Sequence, residues 1–153
     1  MLGNMKLTAD EMALMSLFES FTNVSAMDCI IDDERVLFIV DEKRFPRLLK
    51  RGSRNRRKGK PMNSIVSELS KVIKKKVEIV KFSEDVKSFI INFFSLSKNE
   101  SVKLINRPDG SKYAIIYVNP RRRGAVIGRR GYRAQQGREL AKKYFGLQTI
   151  YIK

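Results

Sequence analysis

The residues whose types and spacing suggest chemistry run from Arg121 to Leu140: Arg-Arg-Arg-Gly-Ala-Val-Ile-Gly-Arg-Arg-Gly-Tyr-Arg-Ala-Gln-Gln-Gly-Arg-Glu-Leu. Val126 and Ile127 lead directly into Gly128-Arg129-Arg130-Gly131, and a helix-like segment follows. Gly128 and Gly131 have no Cβ, so a polyanion's backbone can touch the main chain and the loop can adopt positive φ. A helix starting near Gly131 turns unpaired N–H groups and the positive end of its dipole toward a phosphate. Arg129, Arg130 and Arg133 add planar forks that match phosphate geometry, and Arg121 and Arg122, with Arg123, extend the same cationic track. Val126 and Ile127 are expected to form part of an apolar floor under the bases. This arrangement suits a grip on single-stranded RNA. The alternative is a helix–helix turn whose glycines serve sterics alone.

The whole composition points the same way. The 153 residues carry 32 Lys and Arg against 16 Asp and Glu, a net charge of +16, with 42% hydrophobic residues. A folded chain that basic most often meets nucleic acid, less often an anionic membrane surface. Its longest apolar stretches, such as Phe89 to Phe94, are too short to span a bilayer, and the N-terminus has early acids and no long apolar core, so neither membrane segment nor signal peptide is expected. There is no histidine, which removes the usual general base and the commonest transition-metal ligand. No enzyme, cofactor, metal or small-molecule substrate is expected. The single Cys29 cannot close an internal disulfide and suits a reducing, cytoplasmic setting.

The elements that must position the loop can be read in order. Thr8 to Glu11 has capping-box form, and Leu14, Phe18 and Phe21 give the helix after it one apolar face. Met27 to Ile31 and Arg35 to Val40 read as strands around the turn Asp32-Asp33-Glu34, whose carboxylates lack the spacing of a calcium loop. Glu42 to Leu49 reads as a short helix that Pro46 begins or interrupts. A polar, basic loop follows, either solvated or a second RNA contact through Arg51, Arg54, Arg56, Arg57, Lys58 and Lys60. Asn63 is expected to cap the next helix, and Val77 to Lys81 alternates as a strand.

At Ser83 the order begins again. Ser83 reads as an N-cap, Val86, Phe89, Ile90 and Phe93 as an apolar helix face, and Val102 to Ile105 and Tyr113 to Val118 as strands. Asn119-Pro120 turns into the glycine loop, Gly146 stops the long helix, and Thr149 to Ile152 is the last strand. Tyr132 and Tyr144 could stack on bases, although helical spacing favours packing for Tyr144. An offset of 78 residues lays Asp41 on Asn119, Arg44 on Arg122 and Leu49 on Ile127, so one αββααβ unit occurs twice. Under that offset Gly128 to Gly131 falls on Lys50-Arg51-Gly52-Ser53, where both key glycines are missing. Residues 1–82 hold 17 Lys and Arg against 11 Asp and Glu, net +6, and residues 83–153 hold 15 against 5, net +10. The complete loop therefore sits in the more basic half, as a phosphate site should.

Ile127-Gly128-Arg129-Arg130-Gly131 between two helices resembles the I-G-x-x-G signature of the KH domain, and αββααβ resembles its type II arrangement. The junction Lys76 to Asp85, followed by Phe89, resembles that between the tandem KH domains of NusA, and over nearly its whole length the chain is similar to the short archaeal NusA-like proteins. The resemblance implies an α+β, two-layer fold: two tandem type II KH domains, each with a three-stranded sheet packed on helices. The first, 1–82, is degenerate and the second, 83–153, has the intact loop. In that family the loop clamps the backbone of about four nucleotides. The implied role is RNA binding in transcription, in termination or antitermination, with single-stranded RNA as ligand and RNA polymerase as a further candidate partner. Two other readings stay open: a structural ribonucleoprotein or ribosome-assembly component, and a protein-interaction scaffold with vestigial domains. Duplex DNA readout is disfavoured, because no pattern of base-reading residues on a recognition helix stands out.

Overall fold

Two runs of the same element order build the chain. The computed structural model describes residues 8–52 and 61–153, and among these the side chains of all but 49–52 and 61–63. The chain divides into two units, Met1–Phe82 and Ser83–Lys153.

In the first unit, the Thr8 hydroxyl accepts the Glu11 N–H at 3.1 Å and the Glu11 carboxylate accepts the Thr8 N–H at 2.9 Å. This reciprocal cap starts α1 (Ala9–Thr22), which ends on left-handed Asn23. Phe18 of α1 is buried and stacks on Phe38 with ring centroids 4.6 Å apart. Strand β1 (Asp28–Ile31) runs antiparallel to β2 (Arg35–Asp41). In the turn between them an Asp32 carboxylate oxygen accepts the N–H groups of Glu34 and Arg35, so this acidic triplet closes a hairpin. Helix α2 (Phe45–Gly52) carries Pro46 in its first turn, where no helical N–H partner is needed. Helix α3 (Pro61–Ile73) starts on a proline, so Asn63 lies inside the helix and is not its cap. Strand β3 (Lys76–Phe82) then pairs parallel with β2.

The second unit opens on α4 (Val86–Phe94). Its N-cap is Asp85, whose carboxylate accepts the Ser88 N–H at 2.9 Å, and not Ser83 as the sequence suggests. The Ser83 hydroxyl instead accepts the Asp85 N–H at 3.1 Å and shapes the approach to the helix. Strands β4 (Ser101–Asn106) and β5 (Lys112–Tyr117) form an antiparallel hairpin, and β6 (Ile150–Ile152) pairs parallel with β5. Between β5 and β6 lie α5 (Arg123–Ile127) and α6 (Tyr132–Phe145). Phe89, Phe93, Ile116, Leu140 and Ile150 are all buried in this unit. Truncating one such phenylalanine to alanine typically costs about 3–5 kcal/mol. At Gly137 of α6 a Cβ would lie 2.5 Å from a ring carbon of Phe94, so α6 meets α4 at a distance only glycine allows.

Both units thus hold a three-stranded sheet in sequence order, one antiparallel pair followed by one parallel pair, with helices beside it. The architecture is α+β, repeated. No helix among the described residues is long and apolar enough to cross a membrane.

Candidate nucleic-acid interface

The loop at Gly128 is held at both ends before any ligand is considered. Upstream, the Asn119 side chain accepts the Arg121 N–H at 2.9 Å and its carbonyl accepts the Arg122 N–H at 2.8 Å, turning the chain into α5. Val126, only 1% exposed, anchors α5 in the core. Gly128 ends the helix at φ 85°, ψ 166°, its N–H donating to the Gly124 carbonyl at 2.9 Å. A Cβ there would fall 2.7 Å from Cβ and 2.8 Å from the amide nitrogen of Arg133, so a side chain at Gly128 would strike the main chain of α6. A short 3-10 turn, Arg129–Gly131, follows; Arg130 and Gly131 are both left-handed, at φ 55° and 74°. A Cβ at Gly131 would meet nothing within 4 Å. The two glycines therefore have different reasons: the first is required by contact and by φ, the second by φ alone.

Gly131 stands at the N-cap of α6, and no side chain caps that end. The Tyr132 N–H donates to the Arg129 carbonyl, and the positive end of the dipole of this 14-residue helix faces the loop with no N-cap side chain on it, which favours an anion there.

The arginines expected at the site separate into two sets. Arg121, Arg129 and Arg130 are exposed around the loop. Arg122 and Arg133 are half-buried and reach back to the C-terminal end of α4: Arg122 donates to the Ser95 carbonyl at 2.9 Å and Arg133 to the Phe93 carbonyl at 3.0 Å. Cations at a helix C-terminus satisfy its orphan carbonyls and its dipole. Arg133 also lies over the Phe93 ring, 5.7 Å from its centroid. Arg123, added to the track in sequence, donates to the Ile152 carbonyl at 3.2 Å.

Glu100 holds this assembly together. Its fully buried carboxylate accepts Arg122 Nε at 3.1 and 3.2 Å, the Ser97 N–H at 2.9 Å and the Asn119 N–H at 3.0 Å. The Ser97 N–H above all, then the Asn119 N–H and the Arg122 guanidinium, outweigh burial and push its pKa down to about 2. One carboxylate thereby ties the end of α4, the turn at Asn119 and the start of α5. Sequence reading passes over Glu100; the available signal is an acid just before β4 in a unit with only five acids.

Phe94, Ser95, Arg122, Ala125, Val126 and Arg133 line an open cleft of about 160 Å³ beside the loop. It is smaller than a usual small-molecule pocket. Val126 supports it from below with almost no surface of its own, and Ile127 is half-buried. Of the second basic segment, Arg54, Arg56, Arg57, Lys58 and Lys60 lie outside the described residues, as does the side chain of Arg51.

No family model matches the chain. Curated relatives do, over nearly its full length. The probable transcription termination protein NusA of Methanocaldococcus jannaschii is 28% identical over 151 residues, covering 99% of this chain and 76% of its own. Its namesake in Halococcus morrhuae is 28% identical, covering 97% and 99%, and that of Thermoplasma acidophilum 24% identical, covering 94% and 92%. The crystal structure of APE1850 superposes with a TM-score of 0.66 at 28% identity, covering 96% of this chain and all of the other. Fold and site define a repeated α+β protein with one glycine-bounded, arginine-bearing loop opening a helix. Together with these end-to-end matches, they support an archaeal NusA-like protein.

Proposed function

We propose that the second unit is an intact type II KH domain, residues 83–153, that grips single-stranded RNA at Gly128 to Gly131. The first, residues 1–82, is then a degenerate copy. A phosphate sits on the uncapped N-terminus of α6, Arg129 and Arg130 flank it, and the next nucleotides follow the cleft edge toward Ile127 and Arg121. Arg122 and Arg133 fix the loop's frame. The observation that carries this reading is the pairing of an uncapped α6 N-terminus with a Gly128 that admits no side chain.

The process we infer is transcription termination or antitermination, with the chain bound to nascent RNA and in contact with RNA polymerase; the relatives' name, probable transcription termination protein, supports the termination part. Its charge favours association with RNA without regard to sequence, so affinity falls steeply as salt rises. The test is the affinity of the full chain for a short single-stranded RNA, with and without Arg129→Glu/Arg130→Glu. Strong loss in a variant that keeps its thermal transition supports the reading; unchanged affinity removes it. An in vitro termination assay with purified polymerase then tests the process, and co-sedimentation with ribosomal subunits in its place would favour the ribosome-assembly role.

A further inference from the structure

Strand register decides which side chains share the face of the second sheet that turns away from its helices. Ala114 and Ile116 of β5 and Ile150 and Ile152 of β6 are buried on the helix side. Alternation therefore sets Tyr113, Ile115 and Tyr117 on the opposite face. Ile115 pairs with Lys103 on one side and Tyr151 on the other, which brings both onto that face. The result is an open surface with three tyrosines: Tyr117 is 42% and Tyr151 44% exposed.

These rings are held as well as displayed. The Arg107 guanidinium lies over Tyr113, 4.6 Å from its centroid, and Tyr113 meets Tyr151 edge to face at 5.4 Å and 87°. This arrangement steadies the Tyr151 ring and leaves it substantially exposed. Exposed Lys103 and, by alternation, Lys153 flank the rings, and none of the strand residues on this face is acidic. Of the two acids flanking the hairpin strands, Glu100 is buried against Arg122, and Asp109 in the turn is engaged with the N–H and hydroxyl of Ser111 at 2.9 and 2.7 Å. Tyrosine favours strands, and that alone explains one such residue. It does not explain an exposed Tyr117, flanked by cations, where the offset of 78 places Ile39 of the first unit, which is fully buried.

We propose that this face is a second single-stranded RNA surface, on which Tyr117 and Tyr151 stack on bases and Lys103 and Lys153 take the adjoining phosphates. Every base has a π face, so the surface would be tolerant of sequence and complement a loop that grips backbone. Charge selects the occupant: flat rings between cations suit a chain that alternates planar bases with anions. It shares a ligand class with the glycine loop but none of its residues, so the two can fail separately.

The test uses the full chain and a short mixed-sequence single-stranded RNA. Tyr117→Ala/Tyr151→Ala should weaken binding about tenfold or more, while Tyr117→Phe/Tyr151→Phe, which keeps the rings, should leave it unchanged. The chain has no tryptophan, so Tyr117→Trp introduces a single indole whose fluorescence RNA should quench. In Arg129→Glu/Arg130→Glu that quenching should persist, shifted to higher RNA concentration. Wild-type affinity in the alanine pair together with an unquenched indole would overturn the proposal. So would an alanine pair that binds RNA normally but loses purified RNA polymerase, since the face would then dock protein. If the alanine pair does not fold, the indole and Lys103→Glu/Lys153→Glu decide: loss of quenching in that background supports the proposal, and quenching equal to that without the lysine changes overturns it.

Discussion

The two units agree in element order and strand pairing and part company where α2 and α5 end. Laid on each other by 78 residues, Phe45 and Arg123 coincide, so the two helices begin together. Helix α5 stops at Ile127 because Gly128 turns to φ 85°; α2, with Lys50 at the matching place, continues to Gly52. A left-handed turn costs a side-chain-bearing residue roughly 1–2 kcal/mol, and at Gly128 the main chain of Arg133 adds a direct overlap. Glycine decides whether a helix pair opens a gap or winds on. The sheets diverge as well. Val36 to Val40 of β2 are all buried, on both faces, whereas β5 buries only Ala114 and Ile116. The two units share the scaffold, and the second carries a helix N-terminus with no N-cap side chain and an open sheet face.

The sharpest way to break that comparison is to reverse charge at matching positions. Arg129→Glu/Arg130→Glu should lower RNA affinity at least a hundredfold, since charge-assisted hydrogen bonds are worth about 1.5–3 kcal/mol each. The slope of log affinity against log salt should shrink by about 2. Lys50→Glu/Arg51→Glu, measured by the same titration, should change affinity far less. Equal losses would mean that the first unit binds without its glycines.

Next comes the difference between the two glycines. Gly128→Ala meets both strain and the amide of Arg133, and should destabilise the second unit by about 2–4 kcal/mol. Gly131→Ala meets open space and should cost only about 1 kcal/mol, from φ alone. Denaturant unfolding of both variants checks the order. A Gly128→Ala chain as stable as Gly131→Ala would show that α6 yields to the new methyl group.

How much of this was legible in sequence follows from which interactions are local. Thr8 and Glu11 cap α1 as their spacing indicates, because both partners lie within one turn. The C-cap at Gly146 follows equally from nearby residues. Asn63 and Ser83 misled: Asn63 lies inside α3, which runs from Pro61, and Asp85 takes the cap of α4 because a polar residue near a helix start has several local N–H groups to choose from. The fate of Arg122 and Arg133 was not readable at all. Their partners, Glu100, Ser95 and Phe93, lie 22 to 40 residues away in sequence and come near only when α4 packs against α5 and α6. A run of arginines looks uniform in sequence and divides in three dimensions according to which helix end needs a cation.

Glu100 gives the comparison a pH dependence. Its folded pKa, about 2, lies below the ordinary value of 4.5, so its contribution is complete above about pH 4.5 and is lost as pH falls toward 2. Glu100→Gln should lower the thermal midpoint at neutral pH and loosen the loop, weakening RNA binding without touching a phosphate contact. The gap between wild type and variant should close as pH approaches 2. A gap that persists there would assign the role of Glu100 to shape rather than charge.

The smallest effect is expected in the first unit and has its own reporter. Cys29, the only cysteine in the chain, is 1% exposed in the core that α1 covers, and burial, followed by the charges of Glu11 and Asp28, pushes its thiol up to about 12. At pH 8 it should react with a thiol reagent only when the unit opens, so the labelling rate reads local stability. Thr8→Ala removes the hydroxyl that accepts the Glu11 N–H and should cost about 1 kcal/mol. Labelling should then speed up about fivefold, the population change that energy implies. RNA affinity should not move if the second unit carries the principal grip. A fivefold faster thiol with weaker RNA binding would make the first unit's integrity part of the site, and would narrow the difference between the two copies from the loop to its surroundings.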